Sequence, residues 1–258
     1  MRTMRVLWST LRLQMKQTFV RPMFQFCMLV NPVLNTVLIY EMFRNSGQAN
    51  FASYAILGAG LMGLWSCICF SSAGDLNRER YLGTLSLLFA VPASFRTVVW
   101  GKVLGNTVLA LGTLLISWLT AGLLYGAWIL PAEPWYILLA LLAVVVCFLF
   151  VSVLTAWLLT LSRKTALYMN CIEVPVVLLC GFVVPVEQLP GWAQAAANLL
   201  PPTWAVRLLR QTVAAELSGF WRNLGILVLS TAVFAGLARL LYGVIEKQVR
   251  VLGNLEVF

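Results

Sequence analysis

Apolar residues run through this chain in long blocks rather than in alternation. No Asp, Glu, Lys or Arg occurs from Ser46 to Gly74, from Val103 to Ala132 or from Pro134 to Ser162. A block of about 18 or more such residues is long enough for a helix to cross roughly 30 Å of hydrocarbon. The pattern predicts six spans: Pro22–Tyr40, Phe51–Ala73, Val103–Trp128, Trp135–Leu161, Ala166–Val184 and Asn223–Ile245. Trp100, Trp128, Trp135, Tyr136 and Trp221 fall at or near the proposed ends, where amphipathic rings favour the membrane interface. The expected fold is all-α, a polytopic membrane protein forming a single transmembrane domain over residues 1–258.

Two stretches follow other patterns. Met4, Leu7, Trp8, Leu11, Met15 and Phe19 recur at intervals of three and four, with Arg5, Arg12 and Lys16 on an adjoining face. Residues 1–21 are therefore expected to form an amphipathic interfacial helix in the cytoplasmic headgroup layer, either a simple anchor or an elbow that touches a cytoplasmic partner. A cleaved signal peptide is not expected, because the charged region is long and no small-x-small site follows the apolar run. Gln188–Val206 is also uncharged and could pass for a seventh span. Pro190 and Pro201, however, leave only about 15 Å of helix between them, half a hydrocarbon core. Residues 185–202 are read instead as a re-entrant or interfacial helical hairpin on the outer face, with Trp192 and Trp204 at the interface.

Composition sharpens this picture. Of 258 residues, 61% are hydrophobic and 10% charged, against about 25% charged in soluble domains. Eighteen Lys and Arg face nine Asp and Glu, a net +9. The six-span layout puts 14 of those 18 cations on one side: Arg2, Arg5, Arg12, Lys16 and Arg21, then Arg78, Arg80, Arg96 and Lys102, then Arg163 and Lys164, and finally Arg239, Lys247 and Arg250. The positive-inside rule makes that side cytoplasmic, with both termini inside, and assigns the basic excess to topology and lipid rather than to nucleic acid. There is no histidine, which removes His-based catalysis and His metal sites. The six cysteines all fall in predicted spans and read as buried small apolar residues. No G-x-x-x-x-G-K-[ST] occurs, so the chain carries no P-loop.

Between the second and third spans, residues 74–102 form a loop far longer than a turn needs. Asp75, Arg78, Glu79 and Arg80 are followed by Gly83-Thr84-Leu85, an apolar Leu82, Leu85, Leu88, Phe89 surface, Pro92 and Gly101-Lys102. Mixed charge and apolar surface suit docking on something cytoplasmic. The order Arg78-Glu79, Gly83-Thr84-Leu85, Pro92 and Gly101-Lys102 resembles the first coupling segment of ABC-2 type (type V exporter) ABC transporter permease subunits. Pro185-Val-Glu-Gln-Leu-Pro190, Leu200-Pro201-Pro202-Thr203 and Arg207-Leu-Leu-Arg210 are similar to that family's outer re-entrant hairpin.

The resemblance implies a transport subunit, not an enzyme, in the cytoplasmic (inner) membrane of a bacterium. It implies a second permease half, identical or homologous, and two copies of a cytoplasmic ABC ATP-binding subunit that hold the ATP and Mg. No cofactor is expected in this chain. By position, Asp75, Arg78, Glu79, Arg80 and Gly83 would dock in a groove of the ATPase, with Arg163 and Lys164 as a minor second contact.

Polar groups inside spans are costly and face a bundle interior or a cavity. Glu173 is the acidic residue well inside a span, near Asn170 and Pro175. It reads either as part of the substrate path or dimer seam, or as a hydrogen-bonded Glu between helices. Asn31 and Asn35 share a face of the first span, and helix–helix hydrogen bonding is favoured there over substrate contact. Gly58, Gly60 and Gly63 permit close helix approach, and the resemblance adds Gly60, Trp65 and Phe70 as lining residues of the route. Arg239 is expected to snorkel. A hydrophobic or amphipathic cargo (drug, peptide or lipid-like) fits the apolar interior, with lipid-linked polysaccharide as the alternative. A secondary transporter or an intramembrane enzyme finds less support, since the chain has neither paired buried acids nor matching interrupted helices in its two halves.

Overall fold

Prolines open three of the helices of this chain, and a glycine closes one. The computed structural model describes residues 2–44, 51–69, 71, 74–75, 78, 83, 95–128, 133–160, 165–214 and 217–252. Every regular element among these residues is helical. In chain order they are α1 (Arg2–Phe19), α2 (Pro22–Arg44, with one π turn at Phe26–Val30), α3 (Phe51–Ile68), α4 (Phe95–Ala110), α5 (Gly112–Tyr125), α6 (Pro134–Thr160), α7 (Thr165–Leu179), α8 (Gly191–Leu199), α9 (Pro201–Val213) and α10 (Phe220–Leu252). Pro22, Pro134 and Pro201 each sit in a first turn, where the missing N–H costs no hydrogen bond and φ is preset. Gly126 ends α5 in the left-handed region at φ 65°, so that the Ala127 N–H reaches the Ala121 carbonyl at 3.3 Å.

Four helical segments are long and apolar enough to cross a membrane: Pro22–Arg44, Phe95–Tyr125 (α4 and α5 end to end), Pro134–Leu159 and Phe220–Val244. They coincide with the predicted first, third, fourth and sixth spans. The predicted second and fifth spans are shorter helices here, apolar over Ala52–Ile68 and Leu167–Leu179. The segment expected to form the hairpin also differs from expectation. A 3₁₀ turn at Val186–Gln188 leads into α8, and the following helix, α9, runs on to Val213 instead of stopping near Pro202.

The core forms where α3 is enclosed by α2, α5, α4 and α9. Leu61, Leu64, Trp65 and Ile68 of α3 meet Phe148 of α6, Phe182, Leu208 and Leu209 of α9, and Leu227 of α10. A second cluster joins Phe95 and Val99 of α4, Trp157 of α6 and Ala238 of α10. α7 lies at the periphery with Leu167, Val174 and Leu178 exposed.

α1 packs chiefly on α4, and at 100° per residue its sequence resolves into three faces. Leu7, Leu11, Gln14 and Thr18 turn toward α4, while Met4, Trp8 and Phe19 stay exposed beside an outer stripe of Arg5, Arg12 and Lys16. The predicted apolar stripe is thus divided: one edge is buried in the protein and the other is left for lipid. Gly101 and Gly105 make the approach possible. A Cβ at either would come within 2.9–3.1 Å of the α1 backbone or of Thr10.

Candidate functional site

A buried polar cluster ties Asp75, in the segment after α3, to α1 and α4. The Asp75 carboxylate is only 2% exposed and forms an ion pair with Arg21, whose side chain is 23% exposed. Its Oδ2 also accepts hydrogen bonds from Gln14 Nε2 and, at 2.9 Å, from Asn106 Nδ2. Gln14 Nε2 donates to Thr18 Oγ1 at 2.7 Å, and Thr18 Oγ1 donates to Asn106 Oδ1 at 2.9 Å. Five residues from α1, the α1–α2 joint, the segment after α3 and α4 therefore meet in one largely buried polar cluster, with the Arg21 side chain reaching solvent at its edge. Enclosure of this kind makes each member matter, because a buried polar group that loses its partner is costly.

Asp75 therefore differs from its expected role. Its carboxylate faces its own chain and leaves no surface for a partner. Arg78 is exposed, and Gly83 is exposed with φ +66°, a left-handed turn that suits glycine. Glu79, Arg80, Arg163, Lys164 and Phe70 lie outside the described residues.

The residues proposed for a route through the bundle are dispersed. Gly60 is packed against α5: a Cβ there would sit 2.8 Å from Leu114 Cδ2, and Thr113 Oγ1 donates to the Gly60 carbonyl at 2.9 Å. Trp65 is 0% exposed, tilted against Phe148 with ring centroids 6.1 Å apart, and its Nε1 donates to the Glu173 carbonyl at 3.3 Å. Within this chain both residues are buried in close packing. Asn35 Nδ2 donates to Asn31 Oδ1 at 2.8 Å, so the pair satisfies itself along α2. Glu173 is half-buried on α7 and its carboxylate accepts a 2.5 Å hydrogen bond from Ser66 Oγ, a second polar fastening between α7 and α3 beside the Trp65 bond to its carbonyl.

At the opposite end, two arginines of α9 hold α8, α9 and the start of α3 together. Arg207 lies over the Trp204 ring and bonds Asn198 Oδ1 at 3.0 Å and Glu187 Oε1 at 3.3 Å. Arg210 covers the Tyr54 ring, bonds its hydroxyl, and donates to the Phe182 carbonyl at 3.2 Å. Burial pushes the Arg210 guanidinium down to about 10, which still leaves it a cation at neutral pH.

Sequence reasoning missed Gln14, Thr18 and Asn106, the α9 helix and its two clamps. One signal was present in the Gly101-x-x-x-Gly105 spacing, which marks a helix surface built for close approach by another helix.

A family model described as ABC-2 type transporter matches residues 5–214, from the first turns of α1 to the end of α9. The chain belongs to the ABC-2 type transporter family. With four helices long and apolar enough to cross a bilayer, this ABC-2 type chain is a multi-pass membrane protein. Among curated proteins it is similar to one of Mycobacterium tuberculosis named Probable doxorubicin resistance ABC transporter permease protein DrrC, from strains CDC 1551 / Oshkosh and ATCC 25618 / H37Rv. Each is 23% identical over 188 residues, 72% of this chain. The matched region spans 65% of the length of those relatives.

Proposed function

We propose that this chain is the membrane-spanning permease subunit of an ATP-driven exporter, one of two permease halves served by two cytoplasmic ATP-binding subunits. ATP and Mg belong to those partners, and this chain supplies the passage and the coupling surface. The match to the ABC-2 type transporter family over residues 5–214 carries the reading. The relatives' printed link to doxorubicin resistance adds weight to a hydrophobic or amphipathic cargo moved out of the cytoplasm or the inner leaflet. In this reading the chain crosses a bacterial cytoplasmic membrane six times, α3 and α7 providing the two shorter crossings, with both termini inside. The turn at Val186–Gln188 with α8 and α9 forms the outer re-entrant element. The exposed stripe of Leu167, Val174 and Leu178 on α7 suits the second permease half.

Coupling follows from the polar cluster. Arg78, Glu79, Arg80 and Gly83 dock in the ATPase, with Arg163 and Lys164 in support. When ATP closes the partner, the push reaches Asp75, three residues before Arg78. Asp75 is held to α1 through Gln14 and to α4 through Asn106, so these elements take up the displacement together.

The test is co-expression with the ATP-binding subunit that copurifies with the tagged chain. Glu79→Arg should abolish cargo-stimulated ATP hydrolysis while membrane insertion and partner-free stability stay unchanged. Undiminished stimulation in that variant would sink the assignment of the coupling surface. Copurification of no ATP-binding chain would sink the exporter reading itself.

A further inference from the structure

Between α4, α6 and α10 lies an open groove of about 360 Å³, separate from the Asp75 cluster and from the outer clamps. That volume falls within the range of about 300–1,000 Å³ typical of small-molecule sites. Aromatic rings wall it. Trp100 meets Phe150 edge-on with centroids 5.4 Å apart, and Trp157 meets Tyr242 at 5.2 Å. Arg96 and Arg239 stand on its rim, both exposed, and neither has a carboxylate partner among the described residues. Arg96 is in the first turn of α4, where the helix dipole adds to its positive field.

The placement identifies the medium. Arg239 follows Phe220 by about 28 Å of helix, close to the far edge of a hydrocarbon core about 30 Å thick. Arg96 lies in the first turn of α4, within the segment 74–102 read as the coupling loop, on the end that the positive-inside reading makes cytoplasmic. Two arginines without a carboxylate partner among the described residues leave positive charge to be balanced in the interfacial layer of a chain so poor in acids. Paired guanidinium groups match a phosphate in geometry and charge, and an aromatic-lined wall below them accepts the start of an acyl chain. Basic pockets between helices on the cytoplasmic side suit anionic headgroups in this way.

We propose that this groove is a binding site for an anionic phospholipid of the cytoplasmic leaflet, its phosphate held between Arg96 and Arg239 and its upper acyl chain against Trp100 and Trp157. The orientation rests on the topology proposed above. Gly236 keeps the groove open. A Cβ there meets nothing within 4 Å, so a larger side chain can fill the space without colliding with the protein.

The experiment is native mass spectrometry of the full 258-residue chain released from micelles holding equal amounts of phosphatidylglycerol and phosphatidylcholine. The unmodified chain should keep phosphatidylglycerol in preference. Arg96→Gln with Arg239→Gln should lower that retention about tenfold or more, and Gly236→Leu should lower it comparably with both arginines in place. Arg222→Gln, an exposed cation at the other end of α10, should change nothing, which guards against a general charge effect. Equal retention of the two lipids by the unmodified chain, or undiminished retention in both the double-Gln and the Gly236→Leu variants, would overturn the proposal. Displacement of the lipid by millimolar inorganic phosphate would overturn it too, by making this a site for free phosphate. The readout needs no ATPase and no transport, so its failure is distinguishable from failure of the exporter reading.

Discussion

Removing the Asp75 carboxylate should damage this protein more than removing its ion-pair partner, and removing both should cost less than the sum. Asp75→Ala leaves Arg21 unpaired and takes an acceptor from both Gln14 and Asn106. Breaking a buried pair from one side costs about 3–5 kcal/mol. The 23% exposure of Arg21 lets water relieve part of that, which places the loss near the lower end, about 3 kcal/mol. Arg21→Ala is milder, because two amide donors still hold the carboxylate. Loss of a hydrogen bond to a charged group sets it at about 2 kcal/mol. In the double variant no orphaned guanidinium remains, so the total should stay near 3 kcal/mol, a coupling of about 2 kcal/mol. Asp75→Asn should fall in between. Its one remaining oxygen can serve Arg21, but its amide then faces two amide donors, and Asn106 can accept from it only by turning its oxygen away from Thr18. Thermal midpoints in one detergent at one scan rate provide the measurement, since unfolding of such a chain is read as a rate-dependent quantity. At roughly 2–4 °C per kcal/mol, Asp75→Ala should lower the midpoint by about 6–12 °C. Costs that add to within about 0.5 kcal/mol would refute the cluster as a cooperative unit.

Two further outcomes follow from close contacts. Gly58→Ala would drive a methyl group into the Phe182 carbonyl oxygen, backbone that cannot easily retreat, and should cost about 3 kcal/mol. Gly225→Ala on α10, where a Cβ meets nothing within 4 Å, should be neutral or gain up to about 1 kcal/mol of helix stability, so midpoint shifts of opposite sign check the pair. At Glu173, Gln keeps a carbonyl oxygen for Ser66 and should hold its midpoint within about 0.5 kcal/mol, whereas Ser66→Ala removes the donor from a half-buried carboxylate and should cost about 1–2 kcal/mol. Equal shifts in those two variants would remove this contact from any account of how α7 is held.

The long spans were legible because their signal is local: apolar length, with proline at the first turn. α9 was not, for the opposite reason. Arg207 and Arg210 lower its mean hydropathy until Pro201–Val213 resembles an exposed loop. What allows those arginines to sit there is supplied from afar, by Glu187, Asn198, Tyr54 and the Phe182 carbonyl. Asp75 misled in the same way. Within the run Asp75–Arg80 it reads as one more surface charge, and its partner Arg21 is 54 residues away. Gly60 and Trp65 carry the converse ambiguity: a small residue and a large aromatic in an apolar span fit a lined passage as well as a packed core, and sequence does not reveal neighbours such as Leu114 and Phe148.

The acidic residues explain how a chain with so few charges keeps its two ends in order. Among the described residues, Asp75 meets Arg21 at one end and Glu187 meets Arg207 at the other, each joining elements distant in sequence. Glu173 stands between them without a basic partner among the described residues, its carboxylate fastened to Ser66 and its carbonyl to Trp65. Ion pairs gain little where water can replace them, yet they fix geometry strongly where it cannot. The interior between these clamps relies on close apolar packing, which is non-directional and tolerates sliding more readily than a hydrogen-bonded network does. A push at the coupling end would therefore move the Asp75 cluster as one piece, carrying α1 and α4 with it. The resulting displacement would appear where directional fastening is thinnest, at α7, and Glu173 and Ser66 are where a change in crosslinking distance on ATP binding should be sought first.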